Sequence, residues 1–262
     1  MELNFCSLYS GSSGNCTYLA SDHTSLLIDA GVAGNKIEQS LALIKPKKID
    51  AILITHEHID HIRGAGVLSR KYDIPIYANA KTWEEISPKI GSIKTYNTRI
   101  FDTNGNFLIN DINIMSHSIP HDAADPVCFS FVSNGVKVAS CTDLGYFPNN
   151  LTDVFCDCDL ILLEANHDLK MLNNGSYPPA LKRRISSNKG HLSNESCANA
   201  IVKLTKNNIK NIILGHLSQE NNSVDLAYNT IIKILSKNGI TSKDVNIYVS
   251  SKDTKTRNFL IS

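Results

Sequence analysis

The feature that most constrains the fold is a short apolar run that ends in a cluster of imidazoles and carboxylates. Residues 51–54 predict a buried strand, and the segment directly after it has the pattern His56-x-His58-x-Asp60-His61. Imidazole nitrogens and carboxylate oxygens are the usual ligands of zinc-like ions. The sequence therefore predicts a metal site at the end of this strand.

Four donors so close together can serve two ions. His56 and His58 alternate along the chain, so from an extended backbone both side chains point to the same side. Asp60 and His61 come from the turn that follows and can face a second ion beside the first. A water that bridges two such ions loses a proton near neutral pH and becomes a hydroxide nucleophile. Hydrolysis is therefore the predicted reaction type.

Composition and charge set broad limits on the protein class. A length of 262 residues, with 42% hydrophobic and 19% charged residues, predicts an ordinary globular chain, and the absence of linker-like stretches predicts a single domain over 1–262. The net charge of +1 favours no class of partner, so any nucleic-acid site must depend on a local basic patch.

Cysteine usage and the absence of apolar spans bear on location. The seven cysteines are an odd number and lie mainly in apolar strands, as expected of reduced core thiols. The sequence contains neither a secretory signal pattern nor a run long enough for a membrane span. We therefore expect a cytoplasmic protein that makes no membrane contact.

Strands and helices are predicted to alternate, which is typical of the α/β class. Strands are expected at residues 3–8, 16–20, 25–28, 51–54, 75–78, 112–115, 127–132, 136–141, 160–163, 212–214 and 245–249. Helices are expected over 37–44, over 64–72, from the Ser193 cap to about 205, and from Ser223 through 235.

Three more candidate ligands lie at or just after predicted strands, namely His121, Asp143 and His216. His117 competes with His121 for the ligand role. His117 falls within or just after a strand, whereas His121 opens an irregular polar segment, so we favour His121.

Glu164 and His191 suggest a different role. Glu164 ends the strand predicted at 160–163, and His191 lies just before a helix start. A carboxylate that pairs with an imidazole fixes its tautomer and keeps it protonated, which suits a general acid for the leaving oxygen. The alternative is that Glu164 only supports ligands and that His191 is a surface histidine. His167 and Asp168 either hydrogen-bond metal ligands or line the substrate groove, or they belong to a solvated helix start.

A local basic stretch precedes His191 and predicts contacts with a phosphate backbone, although a solvated helix face would have the same composition. Its members are Lys170, Lys182, Arg183, Arg184 and Lys189. The small-residue loop 10–15 can cradle an anion or form an ordinary turn. The candidate substrate-binding residues are Ser12, Asn15, His167, Lys182, Arg183 and Arg184.

The pattern His56-x-His58-x-Asp60-His61 resembles the signature of the metallo-β-lactamase fold superfamily in its two-metal form. That resemblance implies a four-layer αββα sandwich, in which helices flank two mixed sheets. It also implies a ligand order. The implied ligands are His56, His58 and His121 on one ion, Asp60, His61 and His216 on the other, and Asp143 bridging both. Zinc or manganese is expected, with iron possible.

A closer resemblance is to the WalJ/YycJ-type exonucleases of bacteria. It is carried by the loop 10–15, the turn at His56, and the segments 121–126, 142–145, 164–168, 182–185 and 190–195, whereas residues after about 222 match no motif. The segments around Glu164 and His191 are also similar to those of tRNA 3′-processing ribonuclease Z. The resemblance implies removal of nucleotides from the 5′ end of duplex DNA, with Asp60, Glu164 and His191 as catalytic residues. The alternative function is hydrolysis of small thioesters or lactones at the same site.

Overall fold

A computed structural model describes residues 2–46, 48–250 and 258–262 of the chain. The chain divides into two compact units. Unit 1 consists of Met1–Ser118, Ala123–Val136 and Lys252–Ser262, and unit 2 consists of Ile119–Asp122 and Lys137–Ser251. The single domain expected over 1–262 stays a prediction.

Unit 1 contains a sheet that surrounds the strand predicted before the histidine-rich turn. The strands of unit 1, not all of which belong to this sheet, are β1 (Leu3–Tyr9), β2 (Cys16–Ala20), β3 (Ser25–Ile28), β4 (Ala51–Leu53), β5 (Ile76–Ala78), β6 (Thr98–Ile100), β7 (Asn106–Ile109), β8 (Ile112–Ser118), β9 (Val127–Ser133) and β14 (Phe259–Ile261). Its helices are α1 (Gly34–Ile44), α2 (Ile59–Ile62), α3 (Ala65–Tyr72) and α4 (Ala80–Ile90). The first sheet has the order β14-β1-β2-β3-β4-β5-β6.

The parallel part of this sheet determines where the histidine-rich turn lies. Strands β3, β4 and β5 run parallel, and Leu53 pairs with Tyr77 while Ile28 pairs with Leu53. All three residues of β4 are fully buried, as expected of a strand in the middle of a sheet. Because parallel strands have their carboxyl ends at the same edge, Asp29 after β3 and the turn after β4 lie together.

Unit 2 also contains parallel strands whose carboxyl ends lie at the same edge of a sheet. Its strands are β10 (Val136–Cys141), β11 (Leu160–Glu164), β12 (Asn211–Gly215) and β13 (Asn246–Val249). Its helices are α5 (Asn150–Val154), α6 (Leu169–Asn174), α7 (Pro179–Ile185), α8 (Asn194–Leu204) and α9 (Val224–Lys237). Within unit 2 the strand order is β13-β12-β11-β10, and within unit 1 β9, β8 and β7 are neighbours in that order. Parallel pairing places Cys141 beside Leu163 and Glu164 beside Gly215, so Asp143, Glu164 and His216 follow neighbouring strand ends.

The helix starts predicted from sequence are confirmed by their capping bonds. The Ser193 hydroxyl accepts from the Ser196 backbone N–H, and that of Ser223 accepts from Leu226, at the beginnings of α8 and α9. In the part of the chain that the structure describes, every helix is too short or too polar to cross a lipid bilayer.

Several elements were not predicted. Helix α4 was missed, and it carries Pro88 near its end, where a proline argues against a helix in sequence. Helices α5, α6 and α7 are too short to show a clear apolar period. Strand β14 pairs antiparallel with β1 at the edge of the first sheet, although its sequence alone indicated nothing.

Candidate metal centre

The histidine-rich turn of unit 1 brings its four donors together in two pairs. The Nε2 atom of His56 lies 3.1 Å from Nδ1 of His58. The Nε2 atom of His61 lies 3.6 Å from Oδ2 of Asp60, and the rings of His56 and His61 have centroids 4.1 Å apart. Since the rings of His56 and His61 are also in contact, all four donors form one group, and their division between two ions stays a prediction.

Asp29 fixes the orientation of this turn. Its buried carboxylate accepts hydrogen bonds from the backbone N–H of Thr55 at 2.9 Å and from the Thr55 hydroxyl at 2.9 Å, and its Oδ2 lies 2.7 Å from Nδ1 of His61. Since Nδ1 of His61 is held in this way, Nε2 is the nitrogen that is directed toward Asp60. Asp29 was not predicted from the sequence. Its position directly after an apolar strand is the signal that could have found it.

The loop 10–15 lies against the same turn. The Asn15 side-chain Nδ2 is 3.0 Å from Nε2 of His61, and the Asn15 backbone N–H donates to the Asp60 carbonyl at 2.8 Å. Gly31 packs so closely on that carbonyl that a Cβ would lie 1.5 Å from its oxygen. Asn15 is thus buried and in contact with predicted ligands, whereas Ser12 is exposed.

Glu164 connects two histidines in unit 2. Its Oε1 lies 2.8 Å from Nδ1 of His191 and 2.7 Å from Nδ1 of His216. Its Oε2 accepts from the backbone N–H groups of Leu144 at 2.6 Å and Leu192 at 3.3 Å. Burial by itself would raise the pKa of Glu164, but His191 and the hydrogen bonds from both histidines hold that pKa well below its ordinary value. The structure therefore contains the expected contact between Glu164 and His191, and also an unexpected one with His216.

Asp143 lies at the centre of the same group. Its Oδ1 is 3.5 Å from Nδ1 of His216, 3.7 Å from Nδ1 of His191 and 3.8 Å from Nε2 of His121. Single donor atoms of Asp143, Glu164, His191 and His216 all lie within 4.8 Å of one another, which is close enough to hold a metal ion. His191 differs from the other three because its side chain is 18% exposed, so it can reach a substrate.

Three residues of these clusters have left-handed backbone conformations. The φ angles are 59° for Asp29, 63° for Asp143 and 55° for His216. This region costs a residue other than glycine about 1–2 kcal/mol, and it persists only where the surroundings enforce it. Left-handed backbone also occurs at seven other described residues besides glycine, so here it shows how the chain turns at the strand ends rather than a functional role.

The segment before His191 folds back on helix α7 and positions His121. The Gly190 carbonyl lies 3.1 Å from Nδ1 of His121, and the backbone N–H of His191 donates to Ile185 at 2.9 Å. A Cβ on Gly190 would lie 2.1 Å from the Ile185 carbonyl oxygen and 2.3 Å from that of Arg184. The return of this segment therefore requires glycine at position 190.

Replacing Gly190 with alanine is expected to destabilise the protein by about 1–3 kcal/mol, because the backbone must move to relieve the overlap. Urea unfolding followed by circular dichroism measures the change. Gly34→Ala is the matched control, since a Cβ there makes only ordinary contacts of 3.4 Å or more. If the Gly190 variant is as stable as the Gly34 variant, the close approach at position 190 is wrong.

The predicted basic residues have different surroundings. Arg184 is paired with Asp122, its Nη2 donating to Oδ1 at 3.1 Å and its Nε to Oδ2 at 2.5 Å. Lys182 donates to the Asn173 carbonyl at 2.8 Å. Arg183 is exposed on α7. The sequence predicted these side chains as one group, but an acidic partner beside His121 already holds Arg184.

The remaining candidates lie as follows. His117 is in β8, with Nε2 2.9 Å from the Ser130 hydroxyl, whereas His121 lies beyond the end of that strand. Asp168 caps α6 by accepting from two backbone N–H groups, which agrees with a helix start. His167 is buried, and burial lowers its pKa to about 4, so its ring is neutral at pH 7.

The donor sets of both units fit divalent metal ions by their chemistry. Imidazole and carboxylate groups are present, and second partners hold Nδ1 of His61, His121 and His216. Such outer partners commonly orient histidine ligands, and they leave Nε2 to face the ion. These residue types suit zinc, manganese and iron.

Comparison with known proteins gives consistent results. Residues 9–216 match the sequence profile of the Metallo-beta-lactamase superfamily. The chain is 43% identical over 254 residues to Exodeoxyribonuclease WalJ of Streptococcus pneumoniae, with coverage of 95% of this chain and 94% of that protein. It is 41% identical over 241 residues to Exodeoxyribonuclease YycJ of Bacillus anthracis, with 91% of each chain covered.

A solved structure shares the fold. The metallo-beta-lactamase fold protein YhfI from Bacillus subtilis superposes with a TM-score of 0.73 at 14% identity, with coverage of 98% of this chain and 99% of that chain. Together with the two mixed seven-stranded sheets and their flanking helices, this similarity confirms the fold class expected from the sequence.

Proposed function

Because this chain belongs to the metallo-β-lactamase superfamily, and within it to the WalJ/YycJ-type exonucleases, it is a metal-dependent hydrolase, and we propose that it removes nucleotides from the 5′ end of duplex DNA. The observation that carries the proposal is the Glu164–His191 pair, joined at 2.8 Å beside Asp143. This pair can supply a proton, which the alkoxide leaving group of a phosphodiester requires.

The proposed centre holds two zinc or manganese ions. When bound, the ions supply a water-derived nucleophile and neutralise charge on the phosphate. The pairs within the histidine-rich turn and the group around Asp143 support a division of ligands between two ions. The proposed ligands are His56, His58 and His121 for one ion, Asp60, His61 and His216 for the other, and Asp143 for both.

In the proposed mechanism His191 is the general acid. Its Nδ1–H donates to the Glu164 carboxylate, which fixes the tautomer and stabilises the protonated ring, so Nε2 carries the transferable proton. The partial exposure of His191 lets Nε2 reach the 3′-oxygen of the departing nucleotide. A thiolate leaving group has a conjugate acid with a pKa of only about 8.5 and needs less help, so the pair favours a phosphodiester over a thioester.

DNA is the proposed partner, and its phosphates are the proposed ligands of the exposed basic side chains near α7. Arg183 and Lys189 are both exposed, and Lys189 is only two residues from His191. The remaining proposed substrate contacts are Ser12, Asn15, His167, Lys182 and Arg184. A cytoplasmic location agrees with the cysteines, which are thiols rather than disulfides.

We expect the protein, saturated with manganese or zinc and then desalted, to retain about two ions per chain and to shorten 5′-phosphorylated duplex DNA from its 5′ end. Elemental analysis gives the metal content. A panel of DNA and RNA labelled at either end, with a thioester beside it, gives the substrate class and direction.

Variants separate the ligand assignment from the activity. His121→Ala and His216→Ala should each lower the metal content, and His117→Ala, on β8, should leave it unchanged. Retention of a single ion by the wild-type chain would refute the two-metal proposal. Faster hydrolysis of the thioester than of every nucleic acid would refute the proposed substrate.

A further inference from the structure

Three segments of unit 2 carry Glu164, His191 and His216, and they are connected by side chains to which no catalytic role is assigned. The connecting residues are Asn166, Asn194 and Asn222, which we call the asparagine cluster. Each is at most 7% exposed. A buried amide is costly unless its donors and acceptors are bonded, so the partners of these groups indicate what the cluster holds in place.

Asn194 and Asn222 form a reciprocal amide pair. Asn194 Nδ2 donates to Asn222 Oδ1 at 3.0 Å, and Asn222 Nδ2 is 2.9 Å from Asn194 Oδ1. Asn222 Nδ2 also lies 2.9 Å from the Ala165 carbonyl and 3.1 Å from that of Asn166. The segment before α9 is therefore bonded both to the start of α8 and to the residues directly after Glu164.

Asn166 extends the network to His216. Its Nδ2 donates to the His216 carbonyl at 2.9 Å. Its own backbone N–H donates to Leu192 at 2.9 Å, next to His191, and its carbonyl accepts from Ser218 at 2.8 Å. One buried residue thus contacts the segment that follows each of the two histidines bonded to Glu164.

We propose that the asparagine cluster is a positioning device, which holds His216 in its left-handed conformation and keeps Glu164 between His191 and His216. A φ of 55° is uncommon for a residue other than glycine, so a bond that holds the following peptide in place helps to maintain it. Asn166 binds the His216 carbonyl and so fixes the peptide on which this conformation depends. A buried network of hydrogen bonds of this kind makes a loop rigid.

The inference depends on the proposed ligand role of His216. Asn166→Ala removes the bond to the His216 carbonyl and should raise one of the two manganese dissociation constants, that of the ion assigned to His216, by about 10–100-fold, the usual effect of losing an outer partner of a ligand. Manganese titration of the metal-free protein by calorimetry measures both dissociation constants. Thermal unfolding is recorded on the same samples.

Asn211→Ala is the matched control. Asn211 lies at the opposite end of β12 from His216, and its Nδ2 donates to the Asp159 carbonyl at 2.9 Å. The two substitutions therefore each remove one amide bond to a backbone carbonyl. We expect the control to lower thermal stability while changing both manganese constants by less than about threefold. Equal effects of the two variants on the manganese constants would show a purely structural role and overturn the inference.

Two further variants complete the test. His216→Ala provides the reference. If it leaves manganese binding unchanged, the assignment of His216 as a ligand fails. If His216→Ala loses an ion while Asn166→Ala binds both ions like the wild type, only the positioning role is refuted. If Asn166→Ala does not fold, Asn166→Ser replaces it. One of the two manganese dissociation constants of the serine variant should then be higher than in the wild type. A wild-type constant in the serine variant would overturn the inference.

Discussion

Replacing His191 with alanine is expected to slow DNA cleavage by about 10²–10⁴-fold, the usual loss when a general acid is removed. The metal content should stay at the wild-type level, because the proposed ligand set does not include His191. The expected mechanism of the loss is specific: without the imidazole, the 3′-oxygen must depart as an unprotonated alkoxide. Single-turnover cleavage of a labelled duplex, with elemental analysis of the same sample, measures both quantities.

A substrate that needs no acid tests this role directly. A nitrophenyl phosphodiester releases a stable phenolate, so its hydrolysis by His191→Ala should fall much less than that of DNA. His117→Ala is the matched loss of an imidazole, and we expect it to cleave both substrates at the wild-type rate. If the nitrophenyl substrate is slowed as much as DNA, His191 serves in binding and not in proton transfer.

The geometry also defines a competing arrangement. Donor atoms of Asp143, Glu164, His191 and His216 lie within 4.8 Å of one another and could hold an ion by themselves. In that arrangement His191→Ala would lose metal, and the loss of activity would have a different cause. Glu164→Gln should affect both activity and metal content in either case, because Glu164 bonds His191 and His216 alike.

The features that were best predicted from the sequence are those that depend on a short stretch of chain. Strand β4 is an uninterrupted apolar run, and the donors of the histidine-rich turn follow it directly, so both could be recognised within about ten residues. His121, Asp143 and His216 were selected as candidates for the same reason, since each comes just beyond a strand. The pairing of neighbouring parallel strands then brings such positions to one edge.

What the sequence could not predict depends on partners that are far apart in the chain. Asp29 supports His61 from 32 residues away, and Asn166 supports His216 from 50 residues away. Neither asparagine nor aspartate after a strand indicates its partner, because the partner depends on which strands become neighbours. The left-handed conformation of His216 was likewise not predicted, and its carbonyl accepts a hydrogen bond from Asn166, which is distant in the chain.

Reversing the charge of Arg183 and Lys189 together is expected to weaken duplex DNA binding by about sixtyfold at 0.1 M salt. A basic side chain on a phosphate releases counterions, and each contact contributes a slope of about −0.9 to log K against log salt. Two lost contacts therefore reduce log K by about 1.8 at 0.1 M and make the slope shallower by about 1.8. Fluorescence anisotropy across a salt series measures both effects.

The structure determines which residues this test should use. Arg184 is paired with Asp122, whose Oδ1 is also 3.5 Å from Nε2 of His121. A glutamate at position 184 would repel Asp122 and disturb a proposed ligand, so a loss of activity would have two explanations. Arg183 and Lys189 are exposed, and changing them leaves this ion pair intact.

The matched control reverses Lys233 and Lys237 on α9, two exposed lysines of the same unit, and it changes the net charge by the same amount. If DNA follows the basic residues near α7, only the Arg183/Lys189 variant should lose affinity and salt dependence. Both variants should hydrolyse the nitrophenyl phosphodiester at the wild-type rate, because the ions and His191 are retained. Equal DNA affinities of the two variants at every salt concentration would identify α7 as a solvated helix face, and the path of the DNA would then have to lie elsewhere on the surface.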